Sequence, residues 1–298
     1  MPINTYRGNI TLPTSVSRDI LQKTQEQSAV MRLSRKIALP GNGLTIPVIT
    51  ADPVAAWVAE TDEKPVSNPS LSTKLMQAYK LAVIVPFSNE FRRDLGALYD
   101  ALVQRLPAAL GKTFDSTVFG TSTTAPGTNF DVLGGCTAQQ LDAATGAYAA
   151  LVAAKTSIAT AGGIMNGIAI SPQGEGVLLG ETDGNDRPLF LPSVHDGNYG
   201  KLLGAETVST KGAYVANNPS GYNTVGVAGD WTQALYGTVE GVQISISDQA
   251  TLTSGNSQIN LWQRNMFAVM AEIEVGFRAD TSVFNLLTTA VPQSGSQS

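Results

Sequence analysis

The apolar and polar positions of this chain follow two different periods. Between Arg264 and Arg278 the apolar odd positions are Phe267, Val269, Ala271, Ile273, Val275 and Phe277, while the even ones include Glu272, Glu274, Gly276 and Arg278. Alternation with period two places the two sets on opposite faces of a strand. The pattern therefore predicts a strand of roughly 14 residues with one buried face, against a usual length of about 5–6. The run from Tyr79 to Phe87 predicts a second strand, which leads into Ser88-Asn89-Glu90. From there Phe91, Leu95, Leu98, Leu102, Leu106, Leu110 and Phe114 recur at helical spacing. With Ser88 as N-cap and Glu90 in the first turn, the spacing predicts a helix over 88–119, about 48 Å long at ~1.5 Å per residue. Pro107 lacks an amide donor and crowds the preceding turn, so it should bend this helix about one turn earlier.

The other elements are shorter. Residues 1–14 show no period and contain Pro2, Gly8 and Pro13, which reads as an extended arm. Residues 15–27 predict a short helix with Val16, Ile20 and Leu21 on one side, and Thr45–Ile49 predicts a strand whose Pro47 belongs at a sheet edge. Residues 59–78 are polar, with Pro65 and Pro69, and separate two strand-like segments. An excursion of this length has a functional reason in most compact domains, here a projecting hairpin that reaches another subunit. Thr137-Ala138-Gln139-Gln140 is spelled like a capping box. It predicts a helix that buries Leu141, Ala144, Tyr148, Leu151 and Val152 and ends at Gly162-Gly163. Short strand-like runs follow at Ile164–Ile170, Gly176–Leu179, Pro188–Leu191, Thr224–Ala228 and Val242–Ser247. No clean βαβ alternation connects them, so the fold class is mixed α+β. Residues 292–298 form a polar tail.

Charge changes this picture in one respect. Charged residues are only 14% of the 298, against about 25% in typical soluble domains, so solvated surface is scarce, as in a chain that hides much of its surface in subunit contacts or one with a large monomeric core. Residues 1–36 carry a net +4 and the remainder −9. A basic arm on an acidic body fits equally a merely solvated terminus and an arm that lies on a neighbouring acidic surface or near a polyanion. The basic density is too low for a sequence-specific reader of nucleic acid.

Candidate chemistry is sparse. One cysteine, Cys136, excludes a disulfide within the chain and fits a reducing compartment. The sole histidine, His195, has Ser193 and Asp196 beside it, but neighbours in sequence do not build a catalytic relay. One His and one Cys do not supply a zinc site. Residues 181–188 contain Asp183, Asn185 and Asp186 but lack the closing bidentate Glu of a calcium loop, and read instead as a Gly-centred hairpin turn. No Gly-rich segment has the context of a phosphate-binding loop. Glu272 and Glu274 share one face of the long strand, where partners for basic groups across a subunit contact explain them better than acid–base catalysis.

Seven motifs in order resemble one family. Leu12-Pro13-Thr14-Ser15-Val16-Ser17 resembles its N-terminal arm. Trp57-Val58-Ala59-Glu60 resembles the entry to its extended loop, and Leu81 to Glu90 with Asp94 resembles the strand leading into its spine helix. Phe119-Gly120, Pro126-Gly127 and Leu133-Gly134-Gly135 follow, then Asp183 to Leu189, Gly229-Asp230-Trp231, and Gly276-Phe277-Arg278-Ala279-Asp280 with Val283-Phe284. Across about 270 residues the chain resembles the major capsid proteins of tailed bacteriophages, which have the Hong Kong 97-like capsid fold.

The resemblance implies an arm with short helix at 1–42, a peripheral domain at 43–58 and 79–135 with the spine helix, and an extended loop at 59–78. An axial domain at 136–255 and a return to the peripheral domain at 256–290 complete it. It implies hexamers and pentamers closing into an icosahedral head around double-stranded DNA, without enzymatic turnover or cofactors, in a virion assembled in the bacterial cytoplasm. Partners would be further copies, a portal, scaffolding and decoration proteins, and DNA bound without sequence specificity. Because the chain starts at the arm, a separate scaffold or a prior cleavage is expected. Arg7, Arg18, Trp57, Glu60, Lys64, Lys74, Glu272 and Glu274 are the candidate intersubunit contacts. One family member joins subunits through a Lys–Asn isopeptide bond assisted by a Glu. Asn265 and Glu272 can be laid over those positions, with Lys64 or Lys74 as the lysine, at the cost of a two-residue shift along the strand. An encapsulin-type compartment shares the fold and is the nearest rival; a mixed α+β hydrolase is the rival of another class.

Overall fold

The computed structural model describes residues 20, 22–25, 27–51, 57, 58, 64, 66, 70–90, 95–120, 122–144, 146–183, 185–190, 200–216, 221–254 and 257–291. In chain order the elements begin with α1 (Ala29–Leu33), β1 (Arg35–Ala38), β2 (Leu44–Ala51), β3 (Ser70–Met76), β4 (Tyr79–Ser88) and α2 (Leu95–Phe119). They continue with β5 (Thr137–Gln140), α3 (Ala147–Thr160), β6 (Gly167–Ile170), α4 (Pro172–Leu179), β7 (Lys201–Leu202), β8 (Ala205–Ser209) and β9 (Tyr222–Gly229). The last are β10 (Ala234–Thr238), β11 (Gln243–Ser247), β12 (Thr251–Ser254), β13 (Ser257–Asn260), β14 (Met266–Ala279) and β15 (Phe284–Ala290).

The strand predicted from period two is β14, and all its odd positions from Phe267 to Ala279 are buried. It carries a five-stranded sheet. β4 pairs antiparallel along one edge, Ser88 opposite Met266 through Tyr79 opposite Val275. β11 and β10 follow one another along the other edge, and β1 adds parallel to β10. The register matches odd with odd, so Phe87, Val85, Val83, Leu81 and Tyr79 share the buried face with Phe267, Val269, Ala271, Ile273 and Val275. α2 covers that face. Phe114 meets Phe277 edge-on at 6.5 Å and Phe130 at 6.3 Å between ring centroids, the geometry that aromatic quadrupoles favour.

A second, six-stranded sheet has the order β5-β15-β9-β6-β8-β7 and mixes parallel with antiparallel pairs. It is joined to α2 through Trp231, whose indole packs edge-on against Phe119 at 6.3 Å and Phe284 at 5.2 Å and donates to Gly167 O at 3.0 Å. The glycines here are spatial requirements. A Cβ on Gly229 would collide with the Phe284 ring, and one on Gly167 would sit 2.5 Å from Trp231. Asp230 accepts from Ile164 N, Asn166 Nδ2 and Thr232 N, which accounts for the Gly-Asp-Trp motif as a packing and capping unit. Strands cross between the two sheets: β10 and β11 pair with β14, whereas β15 joins the sheet containing β5 and β9.

Several expectations are corrected. The segment at 88 is not the helix start: Ser88 remains in β4 opposite Met266, Asn89 and Glu90 are in 3₁₀ conformation, residues 91–94 lie outside the described residues, and α2 is described from Leu95. Pairing with a fully occupied β14 outweighs the N-cap signal. At 25 residues α2 spans about 37 Å rather than 48, and the buried Pro107 lies inside it. Thr137–Gln140 is not a helical first turn but strand β5, parallel to β15, with Leu141 N bonded to Thr288 O at 2.8 Å. The helix starts ten residues later and buries Ala147, Ala150, Leu151, Ala154 and Ile158; Tyr148 and Val152 face outward. Gly162, at φ 86°, ends it as expected. Gly176–Leu179 lies in α4, because Ser171 caps Gly174 N and Pro172 occupies the first turn. The described part of Pro188–Leu191, residues 188–190, contributes one isolated bridge, Thr182 to Pro188, closing the turn at 183–187 in which Asp183 Oδ1 accepts from Asn185 N and Arg187 N. Ser70–Met76, placed in the loop by sequence, is a strand paired with β2. Ile20 and residues 22–25 and 27 are helical; Val16 and Leu21 lie outside the described residues.

Asp115 of α2 joins three elements at one buried point. Its Oδ1 accepts from Ser28 Oγ at 2.6 Å and Val30 N at 3.3 Å, and its Oδ2 from Ala29 N at 2.9 Å and Thr210 Oγ1 at 2.8 Å. The carboxylate thus ties the start of α1 and the 210–213 turn to α2. Gly212 allows this approach, since a Cβ there would lie 2.6 Å from Asp115 Cβ. Burial pushes the carboxyl up from 3.8 to about 6, while the bonds from Ser28, Ala29, Thr210 and Val30 pull it back. Each carboxylate oxygen takes one backbone N–H, a donor that cannot reverse. Neither orientation of an amide fits, whereas a protonated carboxyl can donate to a rotated hydroxyl.

Asp115→Asn should therefore lose about 2–4 kcal/mol at pH 4.5 in urea unfolding, from an unmet backbone donor and an unmet amide hydrogen. The pH dependence has a definite sign. The folded pKa stands above the unfolded one, so the native state holds the extra proton between them. This group's contribution is full below about pH 4 and is lost as pH rises through 6. The gap between wild type and Asp115→Asn should accordingly narrow by up to about 3 kcal/mol between pH 4 and pH 7; a gap that widened would reject the assignment.

Candidate assembly surface

The β2–β3 hairpin is a two-stranded ribbon separate from both large sheets. Trp57, Val58, Lys64 and Val66, which lie between its strands, are exposed, three of them apolar. Exposed apolar side chains grouped on one projection mark a surface that another molecule covers.

The base of this ribbon is locked. Arg278 of β14 donates Nε and Nη2 to Leu75 O at 2.9 and 2.6 Å, Nη1 to Asp131 Oδ1 at 2.7 Å, and Nη2 to Asn129 Oδ1 at 2.9 Å. Asp131 Oδ2 accepts from Ala279 N at 3.1 Å and faces Lys74 Nζ at 3.6 Å. Asn129 in turn donates Nδ2 to Gln77 Oε1 at 2.8 Å. The Arg278 side chain is only 11% exposed, so these charge-assisted bonds are sheltered from solvent screening. One guanidinium thus clamps three segments: β3, the long strand and the loop that follows α2. Gly276 belongs to the same arrangement, since a Cβ there would collide with Gln77 O.

The sequence-derived candidates distribute unevenly around this clamp. Arg7, Arg18 and Glu60 lie outside the described residues, as does His195. Trp57 and Lys64 are exposed on the ribbon's connection. Lys74 is turned into its own chain, donating to Ala279 O at 3.1 Å. Glu274 faces Lys80 at 3.5 Å, and Glu272 lines the same small cleft with Glu240 and Gln243. Asn265, at φ 51°, opens β14; its Oδ1 accepts from Asn89 Nδ2 at 2.7 Å, and Asn89 N bonds to its carbonyl. The structure therefore brings Glu272 and Glu274 together but leaves Lys64, Lys74 and Asn265 in separate environments.

Two groups escaped the sequence reading. Asp131 and Asp115 are single carboxylates in unremarkable surroundings, and no spacing rule marks them. Arg278 stood inside the Gly276–Asp280 motif, which was the available signal. Burial, with the charge of Asp280 adding to it, pushes the Cys136 thiol up to about 12, so it is protonated and unreactive. Among the described residues no group of three or more His, Cys, Asp or Glu could hold a metal, and no helix is long and apolar enough to cross a membrane.

Known proteins share this architecture. The family model described as the phage capsid family matches residues 8–280. The probable major capsid protein of Mycobacterium phage L5 is 28% identical over 291 residues, 91% of this chain and 87% of the relative. Its counterpart in Mycobacterium phage D29 is 25% identical over 94% of this chain and 90% of the relative. A solved chain from Microbacterium phage Oxtober96 superposes with a TM-score of 0.68 at 21% identity, covering 88% of this chain and 91% of that one. The capsid of a native GTA particle gives 0.62 at 14% identity, covering 98% and 95%. With the long strand, the spine helix and the locked ribbon all in place, the chain belongs to the phage capsid family and has its Hong Kong 97-like fold.

Proposed function

We propose that subunits of this major capsid protein assemble as hexamers and pentamers into the icosahedral head that encloses a phage's double-stranded DNA. The observation that carries this reading is the β2–β3 ribbon, rigid at its Arg278–Asp131 base and exposed at Trp57, Val58 and Val66. A ribbon locked at one end and apolar at the other transmits force between neighbours. The five-stranded sheet with α2 serves as the peripheral domain, and the six-stranded sheet as the axial domain. The chain's work is assembly rather than turnover. Portal, scaffolding and decoration proteins are the partners this reading implies, in a virion assembled in the host cytoplasm. An encapsulin-type compartment is not favoured, because the family model and the relatives above are capsids of phages or of a GTA particle.

Contacts in this shell are non-covalent. The Lys74 ammonium and the Asn265 carboxamide both have partners within their own chain, which supports this reading. Shells boiled in detergent should run as single-chain bands on a denaturing gel; ladders of higher bands would restore cross-linking through Lys64. Deleting residues 1–14, or replacing 54–67 by a short Gly-Ser turn that keeps β2 and β3 paired, should leave a folded chain that no longer closes regular shells. Electron micrographs showing normal particles from both variants would count against the assembly roles of arm and ribbon.

A further inference from the structure

The layer formed by α2 and the five-stranded sheet carries an acidic cleft on one side and exposed cations on the other. On the sheet's outer side, opposite the buried odd positions, Glu272 and Glu274 share a cleft with the exposed Glu240 and a single Lys80, while Arg278 and the exposed Arg35 stand at the far end of the same face. On the helix side the order of charge is reversed. Successive helical residues turn by 100°, so Arg105 and Lys112, seven positions apart, lie on nearly one line about 10 Å in length. That line points directly away from Phe114, which packs on the sheet. Arg105, Ala108 and Lys112 are exposed along it. The only acid among the described side chains of α2 is Asp115, which is buried and already holds four donors. Lys211 extends the stripe. Its neighbour Gly212 packs so close to the helix that a Cβ would lie 3.1 Å from Lys112 O, and Lys211 itself is exposed. Among the described residues, none of these three cations is in an ion pair.

Free cations cost little in water, but three on one face with no acid paired to them among the described residues raise the local potential and attract a polyanion. From these positions we infer that the Arg105–Lys112–Lys211 face of α2 is a phosphate-contacting surface for the packaged duplex, with the Glu240–Glu272–Glu274 face turned to the outside of the shell. The inference rests on the shell reading above and adds the binding face and the side it occupies. A guanidinium and two ammoniums on a convex helix surface reach backbone phosphates but not base edges, so the contact carries no sequence preference. Acids on the outward face keep the same polyanion from binding there.

Two measurements test it on the full chain. Unassembled subunits are titrated with a fluorescent 30-base-pair duplex of arbitrary sequence between 50 and 200 mM salt. The triple variant Arg105→Gln, Lys112→Gln, Lys211→Gln, altered only at exposed positions, should bind at least about ten-fold more weakly at 50 mM. Its log–log salt slope should be shallower by about 0.9 for each phosphate that is no longer neutralised, up to roughly 3. Wild-type affinity and slope in the triple variant would overturn the inference. Sidedness is read on assembled shells in a Cys136→Ser background with a maleimide polymer too large to pass the wall. Glu240→Cys should be modified and Lys112→Cys protected; the reverse would also overturn it. If wild-type chains form no shells by electron microscopy, the shell reading fails, while the duplex titration still decides whether this face binds phosphate.

Discussion

One strand organises this molecule. β14 runs 14 residues with its odd side chains buried and both edges paired, so it fixes where every neighbouring segment lies. A strand this long cannot slip by one residue without turning five large apolar side chains (Phe267, Val269, Ile273, Val275 and Phe277) into water and two glutamates into the core. At roughly 1.5–3 kcal/mol for each large apolar side chain, such a slip costs about as much as the whole stability of a typical domain. Register is therefore rigid, and the strands borrowed from distant sequence inherit that rigidity.

Rigidity at β14 gives the ribbon its mechanical meaning. Arg278 and Ala279 stand at the end of the strand, and through Asp131, Asn129 and Leu75 they fasten β3 to the exit of the spine helix. β4 meets the other end of the strand, where Asn265 and Asn89 hold the turn. The clamp thus ties β3 to both β14 and the loop that follows α2. Asp115 does the same for the N-terminal segment, carrying the position of α1 into the spine helix through bonds from Ser28, Ala29 and Val30. The two buried or sheltered carboxylates are thus the points where peripheral segments are coupled to the central layer.

That layer also separates charge. Burying an apolar face between helix and sheet leaves each element one outward side; the described exposed charges of α2 are basic, whereas the sheet's outward side holds the Glu240–Glu272–Glu274 cleft. A shell protein has an inside and an outside, so polarity across a single layer follows from how the layer is built.

How much was legible in sequence divides along a physical line. The long strand, the run from Tyr79, the spine-helix stripe from Leu106 to Phe114 and the Gly162 terminus were readable, because period, apolar content and a glycine at positive φ are properties of consecutive residues. The mixed α+β class and the family followed from the order of such elements. The misreadings occurred where a distant partner decides: Ser88 stays extended because Met266 lies opposite, and Thr137–Gln140 is a strand because β15 captures it. The clamp of Arg278 on Asp131, 147 positions apart, and the four donors on Asp115 could not be foreseen, since hydrogen-bond partners are chosen in space. The chain by itself determined which segments alternate, coil or turn. Only the tertiary structure decided which buried charges meet and which faces are left outward, because burial and pairing exist only once distant segments are in contact.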